Sequence, residues 1–379
     1  MPNAIYAEPV GPVNLLALDG GGIRGISELL ILDEIMRRIQ CDQNLPELPK
    51  PCDYFDLIGG ASTGGYWQPR PYSNCTDSKH SLIAIMLGRL RMSTREALAQ
   101  YSLVAARVFS KQNRKWRIQD GTFKATTLER EIRRIVTESL GRSRKDARML
   151  DESSTEERGK TAVASVVCAI PASNMAFPTL FRTYEVRANM SDDCKIWEAA
   201  RATTAAPTFF KRVVIGEPGQ VKTEYVDAAL GCNNPTEHVI REALEIFVGE
   251  RPVGVVVSIG AGHPGVIGLS EPHGYQRILP LKLIDVLKRI AIDCNDTADR
   301  LARRFRRVPG IYFRLNVNHG ISQISLDEWK KIGHVKDHTT AYMHDLEVSQ
   351  AIDSITRRLC NTDSEPLVRP ISLADMLTI

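Results

Sequence analysis

The chain has 379 residues, 43% of them hydrophobic and 25% charged, with a formal net charge of +4. That balance belongs to a globular protein with a sizeable core, and it excludes a collagen-like or low-complexity chain. So small a net charge also argues against a nucleic-acid binder, which needs a concentrated basic face.

No stretch reaches about 18 uninterrupted apolar residues, so no transmembrane helix is expected. The N-terminal residues lack the basic-then-apolar order of a signal peptide. Eight cysteines lie scattered with no CxxC pair, which gives no metal or redox signature and suits a reducing, cytoplasmic setting. Neither a metal nor a cofactor is expected.

Residues 13–18 are a short apolar run, read as a buried strand. The run passes into Asp19-Gly20-Gly21-Gly22-Ile23-Arg24-Gly25, and residues 26–39 then show helical spacing. Residues 54–58 give a second strand, ending in Gly59-Gly60-Ala61-Ser62-Thr63-Gly64-Gly65. Helical patterning follows at 82–87, 94–109 and 128–140, a charged surface loop at 141–159, and strands at 161–170 and 181–184. Residues 196–205 form a helix, 221–226 a strand reaching Asp227, 235–247 a helix and 252–259 a strongly apolar strand. The remainder is helical at 278–306 and 321–359, with a short strand at 312–316. Alternating strands and helices predict an α/β fold, a largely parallel central sheet flanked by helices. Its C-terminal extension is mostly helical.

Gly60-Ala61-Ser62-Thr63-Gly64 matches G-x-S-x-G. A nucleophilic serine needs this spacing because it stands on a tight strand-to-helix turn, where flanking glycines let the chain bend and keep the hydroxyl exposed. The three glycines after the first strand offer backbone amides that can cradle an anion, either a phosphate or a tetrahedral oxyanion. The same stretch formally satisfies G-x-G-x-x-G. However, the nearest acids, Asp33, Glu34 and Asp42, fall in the helix and the next loop, so a dinucleotide site is disfavoured. The serine needs a base. His263, after a strand end, is the strongest of the histidines, and Asp227, at another strand end beside Ala228 and Ala229, is the alternative.

Three segments taken in order resemble the signature of the patatin-like phospholipases. They are Asp19 to Gly25, Gly60 to Gly64, and Asp227-Ala228. The segment Ala202-Thr203-Thr204-Ala205-Ala206-Pro207-Thr208-Phe209-Phe210 is similar to the family's stretch before its aspartate. The resemblance implies a catalytic domain over residues 13–240, with 241–379 completing the fold as a helical extension. It implies Ser62 as nucleophile, Asp227 as base and no catalytic histidine. The amides of Gly20, Gly21 and Gly22 become the oxyanion hole, supported by Asp19, Arg24, Gly25, Gly60 and Gly64. The implied activity is hydrolysis of fatty-acyl esters in glycerophospholipids and related lipids. Transacylation and galactolipid or neutral-lipid hydrolysis are its alternatives. The implied partner is a lipid substrate at a transiently touched membrane surface. Residues 111–116 and 177–181 are the candidate contacts.

Two departures stand out. Asp227 is followed by alanine where the family has glycine. More seriously, residues 66–81 separate Gly65 from the apolar helix resuming at Leu82, and Pro69 and Pro71 would stop any helix leaving Ser62. Removing those residues restores one continuous helix. The segment reads as a retained short intron, with a lid-like insertion as the alternative. If it is a true part of the chain, a catalytically impaired lipid-binding protein is expected.

Overall fold

Strand β1 (Val13–Leu18) divides its side chains between two cores. Leu16 and Leu18 join one hydrophobic cluster, while Val13, Leu15 and Ala17 join another. Period-two alternation requires this of a strand covered on both faces, and the near-continuous apolar sequence is its signature. The computed structural model describes residues 11–61, 80–115, 122–151, 163–174, 177–187, 193–206, 209–216, 219, 221–227, 233–247, 249–262, 294–321, 324, 328–362, 370–377 and 379.

Among the described residues the sheet has eight strands: β1, β2 (Leu57–Gly60), β3 (Ala164–Pro171), β4 (Thr179–Arg182), β5 (Val213–Ile215), β6 (Thr223–Asp227), β7 (Val253–Gly260) and β8 (Tyr312–Asn316). Strands β3, β2, β1, β7 and β8 are consecutive parallel neighbours. Their carboxyl ends therefore share one edge, where open α/β sheets place their ligands. One face carries α1 (Gly25–Asp42), α2 (His80–Ala84), which runs into a π turn at Ile85–Arg89, and α3 (Thr94–Val108). It also carries α4 (Ala125–Leu140) and α5 (Ile196–Thr203). The other face carries α6 (Thr236–Ile246) and α7 (Asn295–Arg304). Helices α8 (Ile332–Met343) and α9 (Leu346–Leu359) pack back on α1. The sheet thus takes β7 and β8 from the C-terminal part of the chain.

Strand β2 departs from expectation. It begins at Leu57, after a 3-10 turn at Pro51–Asp53, and contains the glycines read as a turn. Helix α6 explains why. A Cβ on Gly59 would lie 2.2 Å from Val239 Cγ2, so only glycine lets the helix pack this closely. Strand β5 went unrecognised because three residues carry no periodicity.

Register fixes an important detail around β3. Val166 and Val167 pair with Gly59 and Gly60 of β2 and with Arg182 and Phe181 of β4, so β2 and β4 take opposite edges. Ala169 pairs with Thr179 of β4 and with Asp227 of β6. Strand β6 therefore takes the edge of β3 that β2 vacates, running antiparallel from the far end.

Candidate active site

The loop leaving β1 is tied down residue by residue. The Asp19 amide donates to the Ile259 carbonyl of β7 (3.0 Å), and the Gly20 amide donates to Asn233 O (2.9 Å). Gly22 has φ +60°, a conformation that disfavours a side chain. Its carbonyl accepts the Tyr101 hydroxyl from α3 at 2.7 Å. The Gly21 carbonyl accepts both the backbone amide of Arg24 (3.2 Å) and its Nε (3.3 Å). Of the three amides expected to cradle an anion, that of Gly20 is thus spent on Asn233.

Charges lie beneath this loop. Asp19, only 1% exposed, accepts from Arg314 of β8, Nη1 to Oδ1 at 2.8 Å and Nη2 to Oδ2 closer still. Arg314 Nη1 also reaches Ser258 Oγ of β7 (2.9 Å), which bonds Thr236 Oγ1 at the start of α6 (2.9 Å). Burial alone would lower the Arg314 pKa, but the Asp19 charge outweighs it and holds the guanidinium above its ordinary value. Burial lowers Arg24 to about 10, against the pull of Cys294 and Glu28, so it stays charged at neutral pH. Burial and the Asp19 charge push Glu28 of α1 well above the usual carboxylate range, with Arg314 and Arg24 opposing. The loop thus rests on the buried Asp19–Arg314 ion pair, with the Arg24 cation and the raised-pKa carboxyl of Glu28 beside it.

Sequence reasoning missed Arg314, Tyr101 and Asn233. Only Arg314 left a signal, a charge inside a strand-like run, Tyr312-Phe313-Arg314-Leu315-Asn316, which needs a buried partner.

Asp227 is fully buried at the end of β6. Its amide donates to the Ala205 carbonyl at 3.1 Å, which anchors it to the segment following α5. Thr203 of that helix donates to the Cys168 carbonyl of β3 at 2.7 Å. Ala205, within the segment similar to the family's stretch before its aspartate, therefore helps seat Asp227. Register places Asp227 opposite Ala169 and Gly60 opposite Val167, two residues apart on the same edge of β3, or about 7 Å.

Ser62 and Gly64 lie outside the described residues, as do residues 66–79, Ala228 and His263. Gly60 closes β2, and Gly25 opens α1. His238, within α6, has a pKa lowered by burial. Of the expected membrane contacts, Phe177 is exposed, but Phe181 is buried in the core because β4 claims it. Among the described residues no cluster of metal-ligating side chains occurs, and no helix is long and apolar enough to cross a membrane.

A family model described as patatin-like phospholipase matches residues 16–240. Patatin-like protein 1 of Arabidopsis thaliana is 26% identical over 271 residues, covering 66% of this chain and 59% of that protein. Human calcium-independent phospholipase A2-gamma is 27% identical over 267 residues, 68% of this chain and 29% of that protein. Phospholipase A I of Arabidopsis thaliana is 26% identical over 372 residues, 84% of this chain and 26% of its own length. The chain thus spans less than two thirds of these curated relatives.

Proposed function

The chain belongs to the patatin-like phospholipase family, and from that premise we propose that it is a serine acyl hydrolase acting on fatty-acyl esters of glycerophospholipids. The reading rests above all on strand register. Asp227 stands on the edge of β3 just beyond the end of β2. Ser62 follows β2 by two residues in sequence. The glycine loop leaves the neighbouring strand at the same edge.

In the proposed mechanism, Asp227 takes the Ser62 hydroxyl proton as Oγ attacks the ester carbonyl carbon. The carbonyl electron pair moves to oxygen, and the amides of Gly21 and Gly22 hold that oxyanion. The carbon–oxygen bond to the glycerol breaks as the electron pair returns, and the leaving alkoxide takes the proton from Asp227. Water then attacks the acyl-enzyme, gives a proton to Asp227, and the fatty acid departs as Ser62 recovers its hydrogen. Arg24, charged and bonded through Nε to the Gly21 carbonyl, helps hold the loop in place. The named relatives include phospholipases, which supports a lipid ester as substrate. We place the enzyme in the cytoplasm, meeting membranes peripherally.

A fluorophosphonate probe tests the reading. The expected result is a covalent adduct on Ser62, found by peptide mass spectrometry and lost in Ser62→Ala. Adduct elsewhere, or none in a protein that hydrolyses lipid ester, overturns it. An added alcohol acceptor separates hydrolysis from acyl transfer by its product. The prolines at 69 and 71 favour a second reading, an impaired chain. A variant lacking residues 66–81 is then expected to exceed the full chain in labelling rate. Equal rates would remove that second reading.

A further inference from the structure

The parallel strands stop at one edge, but the sheet does not. Strand β6 pairs Tyr225 with Pro171, and β5 pairs Ile215 with Thr223, so the β5–β6 hairpin continues past the last residue of β3. The connection from β3 to β4 turns at the same level on the opposite edge of β3, since Thr179 pairs with Ala169. Asp227 lies at the base of this projection, and its tip is roughly 20 Å beyond the end of β2 at about 3.3 Å per residue.

The projection is apolar where it should be polar. Along β5, Val213 is half-buried and Ile215 buried, so Val214 between them faces outward at 49% exposure. Val221 in the turn is 91% exposed and Phe177 on the other side 72% exposed. Of five exposed large hydrophobics among the described residues, these three share the catalytic edge, while Leu103 and Leu346 are single residues on α3 and α9. Scattered exposed apolar residues need no explanation, but a cluster at one edge does. Lys211, Arg212 and Lys222 are exposed around it. Arg212 pairs with Glu224 at 3.3 Å, and Lys211 and Lys222 add two further exposed cations among the described residues.

We propose that the β5–β6 hairpin and Phe177 form the surface by which this protein docks on an anionic glycerophospholipid bilayer. Valine and phenylalanine enter the acyl boundary while the lysine stems run along it and leave their ammonium groups at the headgroups. That orientation turns the carboxyl edge of the sheet, with Asp227, towards the membrane. A second copy fits less well, because a two-fold contact would set the same cations against each other. An added peptide strand fits less well too, because β5 offers only three residues. The inference draws its choice of lipid from the proposed function, but its test runs without catalysis.

The test is co-sedimentation of the full chain with vesicles of phosphatidylcholine alone or mixed with phosphatidylglycerol. The expected result is binding to the mixed vesicles that weakens with salt, as charge attraction demands. The double variant Phe177→Ser/Val221→Ser is expected to bind about a hundredfold more weakly. Lys211→Glu/Lys222→Glu should lose about tenfold or more, on anionic vesicles only. Both variants should hydrolyse a short-chain, water-soluble ester like the parent. Full vesicle binding by the serine double variant overturns the proposal. So does a patch variant that loses only self-association in sedimentation velocity, or a parent chain that binds neither vesicle. Failure of ester hydrolysis with vesicle binding intact would instead sink the enzymatic reading and leave this one standing.

Discussion

The two structures at the carboxyl edge of the sheet are built in opposite ways. The glycine loop after β1 is held from below by Arg314 and from the side by Tyr101 and Asn233, with almost every residue buried. The β5–β6 hairpin is attached to the sheet through β6 and exposes Val214 and Val221. Amides that are to hold an oxyanion must be fixed to within a fraction of an ångström, which justifies burying charge beneath them. A surface that meets a fluid bilayer needs no such fixing, only the right outward side chains. Rigidity thus follows the chemistry inward along the edge, and variants on each side should fail in different assays.

The largest effect is expected at the clamp. Arg314→Gln leaves Asp19 buried without its cation, which costs about 3 kcal/mol or more. It should also lower turnover of a water-soluble ester about a hundredfold, because a small displacement of the loop misplaces its amides. Arg314→Lys restores charge but not the forked contact, so it should recover stability better than turnover. Denaturant unfolding and soluble-ester kinetics check this. Parent-like turnover in Arg314→Gln would break the comparison, since the loop would then hold without its clamp.

Gly59 comes next. Gly59→Ala drives a Cβ to 2.2 Å from Val239 Cγ2. Overpacking of this kind costs about 1–3 kcal/mol. Adding Val239→Ala should return part of that loss, measured by denaturant unfolding. Vesicle binding should not move, because β2 and α6 lie away from the hairpin.

Glu28 gives the comparison a pH signature. Burial and Asp19 raise its pKa, so the fold keeps it protonated while the unfolded chain ionises above its ordinary value of 4.5. The unfolded chain then holds fewer protons, and stability falls as pH rises from that value towards the raised folded one. Glu28→Gln removes the titration. Its melting temperature should gain on the parent as pH rises from about 4 towards 8, and a constant gap would show that Glu28 does not titrate between the two states.

How much of this was legible in the sequence follows from the range of each contact. Strands β1 and β8 were readable to the residue, because apolar runs bounded by turn residues are local signals. The turn after β1 was legible because glycine is what a φ of +60° at Gly22 favours, and the position of Asp227 at a strand end because an apolar run leads into it. Strand β2 was misplaced because Gly59 and Gly60 look like a turn until α6 is known to press on them. Arg314, a charge inside a strand-like run, signalled that it needs a buried partner but not which one, since Asp19 is 295 residues away. The β5–β6 hairpin was not legible, because β5 is too short for a pattern and only register shows where it stands.

The smallest effect, and the sharpest separation, belongs to Tyr101. Its hydroxyl reaches Gly22 O from α3, at the residue whose backbone is left-handed. Tyr101→Phe keeps the ring, which is fully buried in the core, and removes one hydrogen bond from a buried carbonyl. The cost to stability is about 1 kcal/mol. If the loop amides serve the transition state, the loss should appear in kcat for the soluble ester, severalfold, with KM nearly unchanged. A structural role alone would lower stability and leave kcat as it was. Vesicle binding should match the parent in either case, because the bond lies on the buried side of the comparison and the hairpin does not depend on it.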